Sequence, residues 1–326
     1  LKLPYRHSLE VRAGYENLLS QQVVIRNSGF LLSPSGLRLF DDRAVSSYNG
    51  QIILTGNYEL TDQIIADVSY GADYYKTEND FLSNSSTTFT AGADQKQEDG
   101  DPTTYAPFEA HTSFASGSMF LQSQVDFYKT FFLTLGGRID KSSSFGTDAS
   151  PQFYPKASGS FLLPVQSLNP IVSMAKVRGS YGKAGRQPDV GAALTALRKE
   201  SLNANVQGLV FLRPGNPALL PAITTEYEVG GDLAFLDSRL GVEVTYYKQH
   251  TVDDLFAVET KPSDGYGNRI QMLNVGEVES KGVELSVFGT PVITDQFRWD
   301  ARLNVTTVDN KVLEDGGFPF SKTPFG

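Results

Sequence analysis

Apolar and polar residues alternate with a period of two along most of this chain. Between Thr225 and Phe235 the odd positions hold Thr225, Tyr227, Val229, Gly231, Leu233 and Phe235, and the even positions hold Glu226, Glu228, Gly230, Asp232 and Ala234. Successive side chains of a strand point to opposite faces, so this segment reads as a strand with one dry and one wet face. Asp237-Ser238 predicts a tight turn, after which Leu240, Val242, Val244 and Tyr246 resume the apolar side of an antiparallel hairpin. The same alternation recurs over Ile64–Tyr74, Met119–Phe127, Leu133–Ile139 and Phe297–Val305. In the last of these, Arg298, Asp300 and Arg302 share the polar side. The pattern predicts eleven strands, at 7–20, 48–60, 62–75, 108–128, 131–141, 152–163, 171–182, 224–236, 239–250, 271–290 and 297–308. Helical periodicity is weak, and a single short helix is expected around Gly191–Lys199.

Many of these strands exceed the usual length of about five to six residues, and a tilted membrane-crossing strand needs roughly 9–11. Short connections near 61, 129–130, 164–170, 237–238 and 291–296 alternate with long ones at 21–47, 76–107, 142–151, 183–223 and 251–270. Short turns at one end and long loops at the other are the layout of an outer-membrane barrel. The expected fold is therefore all-β, an antiparallel transmembrane β-barrel with short periplasmic turns and long extracellular loops. A charge on a lipid-facing position costs about 2–4 kcal/mol at the midplane, and the strands keep theirs on one face. Glu226, Glu228, Asp232, Arg298, Asp300 and Arg302 are accordingly expected to face the lumen. Tyr15, Tyr74, Phe127, Tyr128, Phe131, Phe235, Tyr246, Phe297 and Trp299 lie near strand ends, where aromatic girdles form.

Composition narrows the chemistry. No run of about 18 apolar residues exists, so a transmembrane helix is excluded while a membrane barrel is not. The 28 basic and 37 acidic side chains leave a net charge of −9, which argues against nucleic acid as a partner. With no cysteine there is no disulfide, thiolate metal site or cysteine nucleophile. His7, His111 and His250 lie too far apart in sequence for ligand spacing, so no metal and no cofactor is expected. Glu226 and Glu228 stand roughly 6.5–7 Å apart along one strand face. That spacing invites comparison with a glycosidase pair, but a hydrated wall with Arg or Lys partners on neighbouring strands is the expected role. No nucleophile elbow is present, and Gly265-Tyr266-Gly267 lacks the rest of a phosphate loop, so no enzyme is expected. Recognition is expected on the long loops, with Arg186, Gln187, Asp189, Arg213 and Asn216 as candidate ligand-binding residues in the largest one.

Three stretches carry a resemblance. Lys176–Gln187 resembles the segment of the SusC/RagA-like family of TonB-dependent outer-membrane transporters that centres on Ser180-Tyr181-Gly182 here. Gly215-Asn216-Pro217, then Thr224-Thr225-Glu226-Tyr227-Glu228-Val229-Gly230 through Tyr246-Tyr247-Lys248, is similar to a hairpin of the same family. Asn274-Val275-Gly276-Glu277-Val278-Glu279-Ser280-Lys281-Gly282-Val283-Glu284-Leu285, continuing to Asn310-Lys311-Val312-Leu313, is the third. The match covers residues 108–314 most closely. It departs at Arg186, where the family carries Asn, and at Leu220-Pro221-Ala222-Ile223, where it carries a tryptophan or its equivalent. The resemblance implies that residues 1–326 are part of a receptor barrel of about 22 strands, with the plug, TonB box and final strands lying outside them. It also implies energised uptake of oligosaccharides or peptides across the bacterial outer membrane. The implied partners are outer-membrane lipid, the nutrient ligand, a SusD-like surface lipoprotein lid and, through the plug, the TonB–ExbB–ExbD complex. A siderophore or cobalamin receptor of the TonB-dependent class is the alternative, and a β-rich surface or adhesion protein a more distant one.

Overall fold

The computed structural model describes residues 2–3, 6–31, 34–89, 96, 100–165, 171–203, 206–267 and 269–315. Strands β1 (Lys2–Leu3), β2 (His7–Arg26), β3 (Leu37–Thr61), β4 (Ile64–Thr87), β5 (Ala106–Phe127), β6 (Phe131–Ser142) and β7 (Gln152–Leu163) open the chain. Strands β8 (Val172–Arg186), β9 (Ala196–Asn203), β10 (Val206–Arg213), β11 (Ala222–Phe235), β12 (Leu240–Glu259), β13 (Ile270–Ile293) and β14 (Arg298–Glu314) follow. Twelve of them form one sheet in the order β1-β2-β3-β4-β5-β6-β7-β8-β11-β12-β13-β14, while β9 and β10 pair only with each other. Two three-residue 3-10 turns, Pro102–Thr104 and Pro262–Asp264, complete the regular structure among the described residues.

All eleven expected strands are present, and several run further toward the long connections than the alternation shows. β12 continues nine residues past position 250, to Glu259. The reason is a register shift between Thr251 and Asp254, where Asp253 sits at φ 56°. Such a bulge inserts a residue out of phase, so the period-two pattern stops there although the strand does not. At about 3.3 Å per residue and a tilt of roughly 40°, the 24 residues of β13 rise more than 50 Å. That is well beyond the ~30 Å hydrocarbon core. The short helix expected at Gly191–Lys199 is absent: Ala196–Asn203 is a strand, paired with Val206–Arg213. An isolated helix of nine residues is marginal in water, whereas the hairpin satisfies its backbone groups across the pair.

The short connections are tight and use non-glycine residues at positive φ. Tyr128 (φ 60°) and Lys129 (φ 53°) form a turn closed by the Thr130 amide donating to the Phe127 carbonyl at 3.0 Å. The Asp126 carboxylate accepts from the Lys129 amide at 2.8 Å. Leu236, Asp237 and Ser238 all lie at φ 55–65° in the β11–β12 turn, closed by Arg239 donating to the Leu236 carbonyl at 3.1 Å. Positive φ at both central positions matches the right-handed twist of the flanking strands.

The contacts divide the chain into two compact units. One comprises Leu1–Glu10, Ile52–Ala72 and Ser118–Gly326, the other Val11–Gln51 and Asp73–Gly117. The second is laced by cross-strand pairs such as Gln51 to Asp73 at 2.6 Å, Arg43 to Asn79 at 2.7 Å, and the Tyr15 and Tyr48 rings 5.1 Å apart. In the first, large apolar side chains are not gathered inside. Met119 is 71% exposed, and Val229 and Leu303 are each 60% exposed. A contiguous apolar face of this kind marks a surface made for an apolar surrounding.

Candidate functional site

Register turns the alternation into two faces. Reading across β8, β11 and β12, the polar rows are Lys176–Asp232–Glu243, Arg178–Gly230–Thr245, Ser180–Glu228–Tyr247 and Gly182–Glu226–Gln249. Asp232 is nearly buried and lies between two cations: Lys176 Nζ at 2.6 Å and Arg178 Nε at 3.2 Å. The same guanidinium donates to Thr245 Oγ1 at 2.6 Å. The missing side chain of Gly230 makes this reach possible, since a Cβ there would stand 2.9 Å from the Arg178 guanidinium carbon. Glu228 accepts from the Ser180 hydroxyl at 2.9 Å, and Glu226 accepts from the Gln249 amide at 2.9 Å. Their partners are thus neutral hydrogen-bond donors where Arg or Lys was expected. On β14, Arg298 pairs with Asp300 at 3.0 Å, Thr290 donates to Asp300 at 2.6 Å, and Arg302 stands 5.0 Å over the Phe288 ring. Arg298, Asp300 and Arg302 share the face of Asn304, which is bonded to Ser286 at 2.9 Å in the next strand. A cavity of about 370 Å³ opens on this polar wall, bordered by Gln124, Thr134, Ser160, Arg178, Ser180 and Glu228. It offers a hydrogen-bonding surface with its charges held in place.

The other face is apolar over four rows, then turns abruptly charged. From the short-turn end the rows across β11 to β14 are Phe235–Leu240–Gly289–Ala301, Leu233–Val242–Val287–Leu303, Gly231–Val244–Leu285–Val305 and Val229–Tyr246–Val283–Thr307. The next row, Tyr227–Lys248–Lys281–Asp309, is charged except at Tyr227, on which Tyr181 packs at 5.1 Å between ring centres. Lys248–Glu279 at 2.8 Å and His250–Glu277 at 2.6 Å lie beyond. On β11 itself the uncharged stretch of this face runs eight residues, from Phe235 to Tyr227. At roughly 3.3 Å each and about 40° tilt, that is a band near 20 Å tall, close to the ~25 Å apolar band of an outer-membrane barrel.

Above the wall the loops are clasped together. Gly146 donates to the Leu219 carbonyl at 2.7 Å and Asp148 to that of Pro217 at 3.1 Å. A side chain at Gly146 would collide with the Pro217 carbonyl, so this approach needs glycine. Asn274 is the hub: its amide donates to the carbonyls of Leu220 at 2.7 Å and Asp253 at 3.0 Å, and its oxygen accepts from the Leu220 amide at 3.0 Å. Leu219 is fully buried with Ala192 and Ala193, against Leu255 and Met272. Four of the five candidate ligand residues have side chains engaged in this scaffold. Gln187 accepts from Ser142 at 2.9 Å, Asn216 donates to the Met272 carbonyl at 3.1 Å, Arg213 donates to the Gly191 carbonyl at 2.9 Å, and Arg186 pairs with Asp254. Asp189 is exposed, and its carbonyl accepts from the Ala192 amide at 3.1 Å. The sequence reading quoted Lys176, Arg178 and Asn274 only within family-like stretches and gave them, and Thr245, no role. Their roles depend on register and loop contact, for which no local spacing is a signal.

Known proteins match this arrangement. A family model described as TonB dependent receptor-like, beta-barrel, matches residues 2–325. TonB-dependent receptor P26 of Formosa agariphila is 29% identical over 259 residues, covering 77% of this chain and 26% of that protein. TonB-dependent receptor SusC of Bacteroides thetaiotaomicron is 25% identical over 197 residues, covering 56% of this chain and 19% of SusC. The solved RagAB peptide transporter superposes with a TM-score of 0.86 at 20% identity, over 96% of this chain and 35% of the transporter chain. The chain therefore spans about a quarter or less of these curated relatives. Receptors of this family are transporters rather than enzymes. With strands that alternate between a charged wall and an apolar band of bilayer height, the chain belongs to the TonB-dependent receptor-like β-barrel family of the bacterial outer membrane.

Proposed function

We propose that this chain is part of the barrel wall of a SusC-like importer that takes up oligosaccharides or peptides with energy from TonB–ExbB–ExbD. The observation that carries this reading is the alignment with SusC, 25% identical over 197 residues, supported by the peptide-importer fold. In this reading the short turns at 128–130 and 236–239 are periplasmic and the connections at 27–36, 88–105, 187–221 and 260–269 are extracellular. The row Lys176–Asp232, with Glu226, Glu228, Arg298, Asp300 and Arg302, faces the lumen. Arg186 and Asp189 border the ligand chamber, while Gln187, Arg213 and Asn216 set the shape of the loops around it. The hairpin β9–β10, with Leu209 and Phe211 exposed, lies among the loops that a SusD-like lipoprotein lid would cover.

The test uses the full-length gene in its native host. Deletion is expected to abolish growth on one defined oligosaccharide or peptide, and a surface lipoprotein is expected to copurify with the tagged protein. Uptake of a ferric siderophore or cobalamin, with no copurifying lipoprotein, would replace this reading with the siderophore-receptor alternative.

A further inference from the structure

The wet face of the second unit carries aromatic rings where alternation calls for polar side chains. Gln51 donates to Asp73 at 2.6 Å, the Ser47 and Thr77 hydroxyls stand 3.3 Å apart, and Arg43 donates to Asn79 at 2.7 Å. Positions 73, 77 and 79 of β4 therefore share one hydrogen-bonded face, and Tyr75 and Phe81 fall in the same phase. The opposite face of this strand carries Tyr74 and then the charged pairs Lys76–Glu78 and Asp80–His111. Each ring on the wet face meets a partner on β5. Tyr75 lies 6.1 Å from Phe114, and Phe81 lies 6.2 Å from Phe108, between ring centres. Between the two ring pairs Asn79 donates to the Thr112 hydroxyl at 3.4 Å, so its amide is held from both sides. Tyr75 is 40% exposed and Phe108 57%.

Tyr75 and Phe81 are six residues apart on β4, as are Phe108 and Phe114 on β5. At about 3.3 Å per residue the ring pairs stand roughly 20 Å apart along the strands. The interval holds Thr77, Asn79, Ala110 and Thr112 on this face, none of them charged, with Arg43 beyond Asn79 on β3. Rings on a hydrated wall leave apolar area in water, which a ligand with a flat apolar face covers. A pyranose ring has such a face in its C–H groups, and its hydroxyls accept from and donate to planar amide and guanidinium groups. A zwitterionic peptide finds one guanidinium along the strip and no carboxylate for its ammonium end. We infer that the β4–β5 strip is a stacking site for a neutral oligosaccharide, with one sugar ring at Tyr75–Phe114, another at Phe81–Phe108, and hydroxyls bonded between them by Asn79, Thr112 and Arg43. The inference rests on the importer reading and narrows its nutrient from oligosaccharide or peptide to oligosaccharide.

Native mass spectrometry of the purified full-length protein tests the site. The protein is incubated with equal masses of a neutral oligosaccharide mixture, from partial hydrolysis of starch, xylan and mannan, and of a tryptic peptide digest. Retention of saccharide alone is expected. Phe108→Leu and Tyr75→Leu keep apolar bulk but remove the ring, and each should lower retention about tenfold. Phe108→Tyr and Tyr75→Phe keep the ring and should stay within about twofold of wild type. Heat-modifiable electrophoretic migration reports whether each variant is folded, and only folded variants are compared. Equal retention by wild type and Phe108→Leu, with only the urea midpoint moved, assigns the rings to cross-strand packing and overturns the proposal. Retention of peptide in place of saccharide overturns it and leaves the importer reading standing. Retention of neither overturns it as well, and growth of the native host then decides the importer reading separately.

Discussion

Asp232 is the residue whose removal says most about the wall. Its side chain is 9% exposed, while those of Lys176 and Arg178 are each 32% exposed. With an effective dielectric constant of about 20 and charges about 4 Å apart, each pair is worth at most about 4 kcal/mol. Solvent at the two cations and their side-chain entropy reduce this to about 1–1.5 kcal/mol per pair. Asp232→Ala also leaves two cations side by side on β8, two residues apart on one face, at a nearly enclosed point, which adds to the cost. The expected destabilisation is about 2–3 kcal/mol, with Lys176→Met recovering about 1 kcal/mol of it through coupling in a double-mutant cycle. The measurement is urea unfolding of the full-length protein refolded into phosphatidylcholine vesicles, followed by tryptophan fluorescence and by heat-modifiable migration. If Asp232→Ala unfolds within about 0.5 kcal/mol of wild type and shows no coupling to Lys176, the triad is a solvated decoration and the reasoning about a held charge fails.

Three further outcomes are expected. Val244→Lys, in the middle apolar row, should cost about 2–4 kcal/mol in the same assay, whereas Thr306→Lys, exposed on the wet face of β14 opposite Glu284, should cost less; equal costs would mean the two faces are misassigned. Asn274→Ala removes three hydrogen bonds of the loop clasp and should lower its local stability by about 2 kcal/mol, a rise of roughly thirtyfold in exchange at the Leu220 amide; unchanged exchange would show the clasp is held by Leu219 packing alone. Asp101 accepts hydrogen bonds from the Thr103 amide and hydroxyl at 2.8 and 2.7 Å, which hold its carboxyl below the ordinary value of 3.8, the hydroxyl contributing most. Because the folded value is the lower one, its stabilisation of the Pro102–Thr104 turn is complete above the unfolded value and is lost as pH falls through the folded one. Thr103→Ala should raise the Asp101 midpoint in an NMR titration, and an unmoved midpoint would sever that link.

Much of the fold is written locally. The pattern Tyr227, Val229, Gly231, Leu233 against Glu226, Glu228, Asp232 needs no partner to be read, because a strand's side chains alternate whatever it pairs with. Hence the eleven strands, the two faces, the tight turn at Asp237-Ser238 and a barrel in lipid were all legible in the sequence. The family resemblance was legible for the same reason, since its motifs follow that hairpin rhythm. What lay outside reach was whatever depends on which residue meets which across strands or loops. Lys176 opposite Asp232 is a matter of register, and a slip of one residue would have sent the lysine to the lipid. The bulge at Asp253 hid the last nine of the 20 residues of β12, because an inserted residue reverses the phase of the pattern. Gln187, Arg213 and Asn216 looked like ligand contacts because they are polar groups in a long loop. Only the tertiary structure shows their contacts: Gln187 accepts from the Ser142 hydroxyl, and Arg213 and Asn216 donate to the Gly191 and Met272 carbonyls, because packed loops must satisfy their own polar groups. The sequence determined the alternation, and with it the solvent each face requires; the tertiary structure decided the partners, because pairing is a property of two segments and no single segment contains it.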